Sequence, residues 1–486
     1  MPQGRDTSYH LNRTSNLFRL LGHEYRHYYY KQDHSYIYNL IFISYENPPL
    51  YYYLGTLLYQ LFFPLFGFKA VYALSAACFI LTILLCYKIG SLYFSKNTGL
   101  FAACLCSLMP LKLATSRQYN LEIATSAFTL AMFYFFLKSE NFKNKKYLIL
   151  TALAAGTAIL MKYNSLVFLF GYIIWLLFER RTSDQEHGLK KLGADFLLFL
   201  IFFIPTSSIY YSDRIVLKRL FIRAVDPNLF WGEMLNRCYF YLHGLIFKEL
   251  GIVLGLFFLV TIYFAFKTKA SKIQKITLFC VAIPLFITVI LPKSIGEQLE
   301  YAMPILPFIA LSISFFVLSI KEKALRYFTV CFLIIFLTIQ FVCISFLPAA
   351  SNPHGLGLLS AGGLPPVKSS AYKDLFDDLL KESHGKKLII GLMSEKGAIF
   401  PANSETQAHL SKINWEIISQ ETFPEKFKEK SSQFDYIIYT EQNTTHSAEN
   451  FPRLLKITGC RILKGTYSFE STGLYEFSEL VFLLKK

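Results

Sequence analysis

A short stretch near the start of the chain combines residue types that could do chemistry at a membrane surface. Residues 46–54 read Glu-Asn-Pro-Pro-Leu-Tyr-Tyr-Tyr-Leu and lie just before a long apolar region. The two prolines block a regular helix start and disfavour the α conformation at Asn47. Glu46 is therefore expected on a bent backbone beside an aromatic belt, which is typical of a binding or catalytic site. The alternative interpretation is a proline-capped interfacial helix anchored by tyrosines.

Other ionisable residues fall at the ends of apolar segments, where a charge is costly unless it faces a cavity or a partner. Arg117 and Glu122 share one short connection, and Lys162 closes an apolar segment. The alternatives are a helix-end ion pair for the first two, snorkelling to the surface for Lys162, and an interfacial role for His243. The ionisable residues expected at one membrane face are Asp6, Glu46, Arg117, Glu122, Lys162, His243, Lys293 and Glu300.

The composition indicates a polytopic membrane protein. Hydrophobic residues make up 53% of the 486 residues and charged residues only 17%, against about 25% in typical soluble domains. The net charge of +16 comes mostly from short loops, a pattern typical of orientation signals and lipid contact. A nucleic-acid partner is therefore not expected. Most of the nine cysteines lie inside apolar segments, so neither a disulfide framework nor a zinc site is indicated.

The predicted fold class is an α-helical polytopic membrane protein with about ten spans and a small soluble C-terminal α/β domain. Residues 49–66 are apolar but are interrupted by Pro64 and Gly67, so we predict a juxtamembrane or re-entrant helix there. The predicted spans lie near residues 70–90, 98–114, 122–138, 147–162, 164–179, 193–211, 245–266, 274–292, 301–320 and 326–347.

Lysine and arginine are more abundant in one alternate set of loops, which places that set in the cytoplasm. A basic cluster at residues 214–223 opposes this assignment. The orientation puts residues 1–69 outside, although no apolar segment precedes them in this sequence. We therefore expect a further apolar helix to be encoded upstream of Met1. The predicted location is a plasma or inner membrane, with the site and the C-terminal domain on the periplasmic or extracellular side.

Three regions follow from this topology. Residues 1–69 are predicted to form an outer-face catalytic loop with juxtamembrane helices, and residues 70–347 the transmembrane core. Within the core, residues 212–244 are predicted to form a basic, amphipathic outer loop. Residues 348–486 begin with a linker rich in glycine and proline and then become polar. Strands are predicted there at 387–392, 436–440, 461–469 and 480–484, with a helix at 371–383.

These segments resemble the GT-C glycosyltransferases, within the group that contains lipid A aminoarabinose transferase and the protein O-mannosyltransferases. Residues 4–10 resemble the first outer loop of that group, although Thr7 follows Asp6 where the family often has Glu. Residues 46–54 resemble its acid-x-Pro-Pro-Leu-Tyr segment. The family has a transmembrane helix before its catalytic loop, which agrees with the upstream helix expected here. Three later segments also resemble segments of the family and follow in the same order, namely residues 117–122, 156–163 and 293–307.

The resemblance implies transfer of a sugar, with inversion, from a polyprenyl-phosphate-sugar donor to a lipid, glycan or protein acceptor on the outer face. Asp6 is the candidate general base, and Glu46 and Glu122 are candidate catalytic residues that orient the acceptor. If the acceptor is a phosphate, Asp6 would orient it instead. Glu46 with His243 could alternatively hold a divalent metal ion. The candidate cations for the phosphate leaving group are Arg117, Lys162, Lys293 and Arg219.

Two other classes of function are compatible with the sequence. Charged residues and broken helices inside membranes also mark transporters, here a flippase for lipid-linked sugars. The charges gather at one face and no inverted repeat is visible, which argues against that class. The second class is an inactive scaffold of a glycan-assembly complex, suggested by the irregular sequence around Asp6. An enzyme makes a new covalent product, a transporter only moves the label, and a scaffold tolerates loss of the acidic residues.

Overall fold

The structure is a computed structural model. Two compact units are present, one containing the helices from Tyr72 to Phe346 and the other containing the strands. The residues described are 48–66, 70–109, 112, 116, 120–140, 142–162, 165–181, 187–211, 231–267, 272–290, 303–346, 388–394, 415–419, 435–442, 461–471 and 477–485.

Long apolar helices dominate the first unit. The α-helices described along the chain are, in order, α1 (Leu50–Phe66), α2 (Tyr72–Tyr93), α3 (Lys96–Leu108), α4 (Leu121–Lys138), α5 (Lys145–Met161), α6 (Ser165–Arg181), α7 (His187–Tyr211), α8 (Trp231–His243), α9 (Gly251–Lys267), α10 (Lys272–Ile290), α11 (Leu306–Leu318) and α12 (Lys323–Phe346).

The helices coincide with the segments predicted from hydropathy. Each predicted span overlaps one of α2–α7 or α9–α12. Within the described residues, Tyr72–Tyr93, Leu121–Lys138 and Lys323–Val342 are long and apolar enough to cross a bilayer, and the bent pair Leu235–Ile246 and Gly251–Ala265 would make a fourth span. The chain is therefore an integral membrane protein, while the count of about ten spans remains a prediction.

N-cap side chains set the start of three helices. Ser95, Asn120 and Asn144 precede α3, α4 and α5, and each side chain accepts a hydrogen bond from a backbone N–H in the first turn. Such caps satisfy donors that have no partner within the helix. Polar residues between apolar runs thus define where the membrane helices begin.

Proline ends α3 earlier than hydropathy suggested. The predicted span ran to about residue 114, but α3 ends at Leu108. Pro110 disfavours the α conformation at Met109, whose backbone is extended with φ −62° and ψ 124°. The chain therefore leaves the helix before Lys112. By contrast, α1 continues through Pro64, where an interruption was predicted.

Two contacts define one end of the helical unit. Glycines let α2 and α3 pack closely, since a Cβ atom at Gly90 would lie 2.6 Å from the Cα atom of Gly99. At the turn between these helices, Phe94 stacks on Phe315 of α11, with ring centroids 3.7 Å apart. The end of α2, the start of α3 and the end of α11 therefore lie together. Since α12 begins at Lys323, soon after α11, its start lies at this end too.

Helix α8 lies across the start of α9. A π-helical turn (Gly244–Glu249) joins them, and the two helices enclose an angle of 109°. Gly251 has a φ of 74°, which glycine adopts without steric cost. Tyr239 on α8 is exposed, whereas Arg237 and Tyr241 are buried. This amphipathic helix falls inside the predicted outer loop 212–244, of which residues 212–230 lie outside the described part.

The second unit contains one five-stranded sheet with the order β2-β1-β3-β5-β4. Strand β1 pairs in parallel with β2 and β3, whereas β5 pairs antiparallel with β3 and β4. Parallel pairs need crossover connections, as in α/β folds. The strands are β1 (Leu388–Ser394), β2 (Trp415–Ser419), β3 (Tyr436–Gln442), β4 (Arg461–Ser471) and β5 (Phe477–Lys485).

Four of these strands overlap the four predicted ones, and β2 was not predicted. Its five residues, Trp-Glu-Ile-Ile-Ser, are too few to show a clear alternation of apolar and polar residues. The predicted helix at 371–383 lies outside the described residues. The assignment of residues 348–486 as a separate outer domain remains a prediction.

Candidate active site

The centre of the candidate site is an ion pair between Glu122 and Lys162. Glu122 lies in the first turn of α4, and Lys162 directly follows the last residue of α5. An acid at a helix start and a base at a helix end both interact favourably with the helix dipole. The Lys162 ammonium group donates a hydrogen bond to Glu122 Oε1. Their side chains are 8% and 0% exposed, so this pair is held away from water.

A second buried lysine contacts α4 one turn after Glu122. Lys112 Nζ donates a hydrogen bond to Ser126 Oγ at 2.8 Å, and Lys112 is fully buried. Ser126 lies four residues after Glu122, so both point from the same face of α4. We call Lys112, Glu122 and Lys162 the lysine–glutamate cluster. By formal charge, these three side chains contribute two ammonium groups and one carboxylate.

The proline-rich stretch at the start of α1 is connected to this cluster by hydrogen bonds. Pro48 and Pro49 are buried. The Tyr51 hydroxyl lies 2.9 Å from Ser75 Oγ on α2, and the same Oγ accepts a hydrogen bond from Asn120 N–H at 3.3 Å. Tyr51 is thereby linked to the residue that caps α4.

Asn120 completes the link to Glu122. Its side-chain oxygen accepts a hydrogen bond from the Glu122 backbone N–H at 2.7 Å. The start of α2, the start of α4, the end of α5 and the stretch after α3 therefore meet in one place, which we call the site end. It lies opposite the end at which Phe94 contacts Phe315, because α2 runs from one to the other.

The structure locates three of the predicted site residues. It brings Glu122 and Lys162 together, as described. His243 is half-buried at the end of α8, and its ring stacks on Tyr239 with centroids 5.2 Å apart. The other predicted site residues lie outside the described residues, namely Asp6, Glu46, Arg117, Arg219, Lys293 and Glu300.

Within the described ranges, no group of three or more His, Cys, Asp or Glu side chains could hold a metal ion. The proposed metal pair of Glu46 and His243 includes one residue outside those ranges, so it remains a prediction.

Sequence reasoning missed Lys112 and Arg237 as site candidates. Lys112 was assigned to the end of a membrane span, and the signal that could have found it is Pro110, which ends the helix first. Arg237 is 3% exposed on the inward face of α8. Leu235 and Tyr239, two residues before and after it, are exposed, so Arg237 lies on the opposite side of an amphipathic helix.

The fold has counterparts among known proteins. Residues 46–209, which contain the whole lysine–glutamate cluster, match the family model described as dolichyl-phosphate-mannose-protein mannosyltransferase. The structure also matches the crystal structure of ArnT from Cupriavidus metallidurans bound to undecaprenyl phosphate. That match has a TM-score of 0.64 and 10% sequence identity, and it covers 98% of this chain and 93% of that chain. The chain has a GT-C glycosyltransferase fold.

A second structure supports the same GT-C fold. The apo state of ArnT from Cupriavidus metallidurans matches with a TM-score of 0.60 and 10% identity, over 98% of this chain and 93% of that chain. A search by sequence among curated proteins finds no significant match. The resemblance predicted from the motifs of the chain is confirmed.

Proposed function

We propose that this protein transfers a sugar from a polyprenyl-phosphate-sugar donor to a lipid, glycan or protein acceptor on the outer face of the membrane, with inversion. The observation that carries the proposal is the buried lysine–glutamate cluster at one end of a GT-C fold. Charged groups inside a membrane protein are costly and usually serve a ligand or a charge relay. A cluster with net positive charge suits an anionic ligand such as a lipid phosphate.

Lys162 and Lys112 are the groups that would stabilise the leaving phosphate. When the bond from the anomeric carbon to the phosphate oxygen breaks, negative charge develops on that phosphate. Cations already in place stabilise this charge most strongly where water is excluded. The crystal structure of ArnT with undecaprenyl phosphate supports a lipid phosphate as the ligand class for this fold.

Glu122 would hold Lys162 in position through their ion pair. The acceptor oxygen attacks the anomeric carbon from the side opposite the phosphate, and its proton passes to Asp6 as general base. Asp6 lies outside the described residues, so this role rests on the resemblance alone. With a phosphate acceptor, no base would be needed and Asp6 would orient the acceptor.

Arg237 is a further candidate cation for the carrier phosphate. Its side chain is buried on the inward face of α8, while Leu235, Tyr239 and Leu242 of the same helix are exposed. A helix with this pattern places its apolar face in the lipid and its cation toward the protein. This supports a carrier that enters from the bilayer beside α8.

The test is a transfer assay with the full chain in membranes. A panel of labelled polyprenyl-phosphate sugars is supplied, and the wild type is compared with Lys162→Met, Glu122→Gln and Asp6→Asn. Lys145→Met is the matched control, because Lys145 also forms an ion pair from helix α5, with Asp195, at the helix start. The control removes one lysine from an ion pair but leaves the cluster intact.

Label that moves to a new covalent product in the wild type and the control, but not in Lys162→Met that is folded by circular dichroism, supports the proposal and identifies the donor. Label that crosses the membrane without a new product would indicate a flippase. An absence of both, with the protein folded, would favour a scaffold. Equal transfer in Asp6→Asn and the wild type would remove Asp6 as the base without affecting the role of the cluster.

A further inference from the structure

One buried polar side chain in the last membrane helix has no hydrogen-bond partner in the described part of the chain. Gln340 lies on α12 and is fully buried. Neither its amide nitrogen nor its amide oxygen makes a hydrogen bond within the described residues. A buried amide without partners costs free energy, and polar residues inside membrane segments are usually functional. Gln340 therefore requires an explanation beyond helix packing.

Gln340 belongs to the side of α12 that faces the protein. Its neighbours on this side are Thr329, Leu333 and Leu337, all buried, and their spacing follows the turns of a helix. Ile339, the adjacent residue, is exposed on the lipid side. The amide is thus directed into the bundle rather than into lipid.

Gln340 also lies at the level of the site end. Helix α12 starts at the end of the bundle where Phe94 contacts Phe315, and Gln340 lies about 26 Å along it, at about 1.5 Å per residue. Ser75, which belongs to the hydrogen-bonded chain leading to Glu122, lies about 27 Å from the same end along α2.

The helices that contact α12 also relate it to the site end. This helix packs against α3 and α11, and the chain that leaves α3 reaches Lys112 four residues after Leu108. Gln340 is therefore on a helix that contacts the helix preceding Lys112. Both side chains are fully buried.

The chemistry of the amide identifies the ligand group. An amide offers two N–H donors and a carbonyl acceptor, and both of its atoms lack partners here. An ionised phosphate only accepts hydrogen bonds, so it would satisfy the nitrogen and leave the oxygen unpaired. A prenyl chain would satisfy neither atom. A pair of adjacent sugar hydroxyls can accept from the nitrogen and donate to the oxygen.

We propose that Gln340 binds hydroxyl groups of the donor sugar and so determines which lipid-linked sugar is used. This inference rests on the proposed function, since it requires a sugar-bearing donor at the site end. It assigns the lysine–glutamate cluster to the phosphate and Gln340 to the sugar. A donor whose sugar lacks the contacted hydroxyl would then leave the amide buried and unpaired, which disfavours its binding.

The experiment compares the wild type with Gln340→Met, an apolar side chain of similar length, in the full chain in membranes. The donors are polyprenyl-phosphate hexoses and their monodeoxy analogues. Binding of each donor and kcat/KM for transfer are both measured. Thr338→Val is the control, because Thr338 lies on the exposed side of the same helix. If Gln340→Met does not fold, Gln340→Asn, which keeps the amide and shortens it, is used instead.

For one hydroxyl, the wild type should prefer the complete sugar by about tenfold to hundredfold. Gln340→Met should lose that preference, whereas Thr338→Val should keep it. The same preference in wild type and Gln340→Met would overturn the inference and indicate that the amide binds a buried water or serves stability alone. A wild type that binds the donors but transfers nothing would contradict the proposed function, while its binding preference would still decide the role of Gln340. Binding of no donor would overturn both.

Discussion

Replacement of Lys162 with methionine should strongly destabilise the protein, because the Glu122 carboxylate would stay buried without its lysine partner. The Glu122 side chain is fully buried, and that of Lys162 is 8% exposed. Two unit charges about 4 Å apart interact by about 4 kcal/mol at an effective dielectric constant of about 20. Removal of one partner of a buried pair typically costs about 3–5 kcal/mol. We expect Lys162→Met and Glu122→Gln each to lose about 3 kcal/mol or more of unfolding free energy.

The double variant Lys162→Met/Glu122→Gln tests whether the two losses have one cause. It leaves no unpaired charge from this ion pair, so it should lose less than the sum of the single variants. The expected coupling is above about 1 kcal/mol. The assay is denaturant unfolding of the full chain in detergent micelles, followed by far-ultraviolet circular dichroism under identical conditions for all four proteins.

Lys145→Met serves as the control for loss of a lysine from α5. The Lys145 side chain is 51% exposed, so solvent screens part of its charge, whereas its partner Asp195 is only 1% exposed. Its loss should therefore cost less than that of Lys162 but more than the loss of a fully exposed pair. The reasoning would be refuted if Lys162→Met cost less than about 1 kcal/mol, as exposed pairs do. Additive losses in the double variant would refute it equally, since they would show that the charges do not interact.

Three other predictions concern residues of the helical unit. Asn120→Ala should lower the free energy of unfolding by about 1 kcal/mol, because it removes the side chain that accepts a hydrogen bond from the Glu122 N–H. The loss should appear as a lower melting temperature, and an unchanged melting temperature would show that this cap does not stabilise the helix. Gly99→Ala should lower the free energy of unfolding by about 1–3 kcal/mol, because the added Cβ atom would collide with α2. A stability equal to that of the wild type would show that α2 and α3 can move apart without cost. Lys112→Met should lower kcat/KM for sugar transfer by about 10²–10³-fold, while Lys145→Met leaves it near the wild-type value; equal effects would exclude a specific role for Lys112.

Local patterns in the sequence were sufficient to place Glu122 and Lys162 among the candidates. Both are charges at the ends of apolar runs, and a charge there needs a partner whatever the tertiary arrangement. The alternative that Lys162 snorkels to the surface is not what the structure shows, because its side chain is nine-tenths buried in an ion pair. Asp6 and Glu46 remain predictions, as they lie outside the described residues.

The roles of Lys112 and Gln340 could not be read in the same way. Thr338 and Gln340 are two polar residues in one apolar run, and their sequence context does not distinguish the exposed residue from the buried one. In lipid the exposed face of a helix is as apolar as the buried face, so the periodicity that identifies a core face in soluble helices is weak. For Lys112, hydropathy extended the span past the true helix end at Leu108.

The sequence by itself determined the membrane class, the positions of the helices and the charged residues at their ends. These depend on apolar length, capping and proline, which act within a few residues. Only the tertiary structure decided that Lys162 meets Glu122 across 40 positions of sequence, and that Tyr51 is linked to that pair through Ser75. Such contacts depend on how distant helices pack, and packing is a property of the assembled bundle rather than of any one segment.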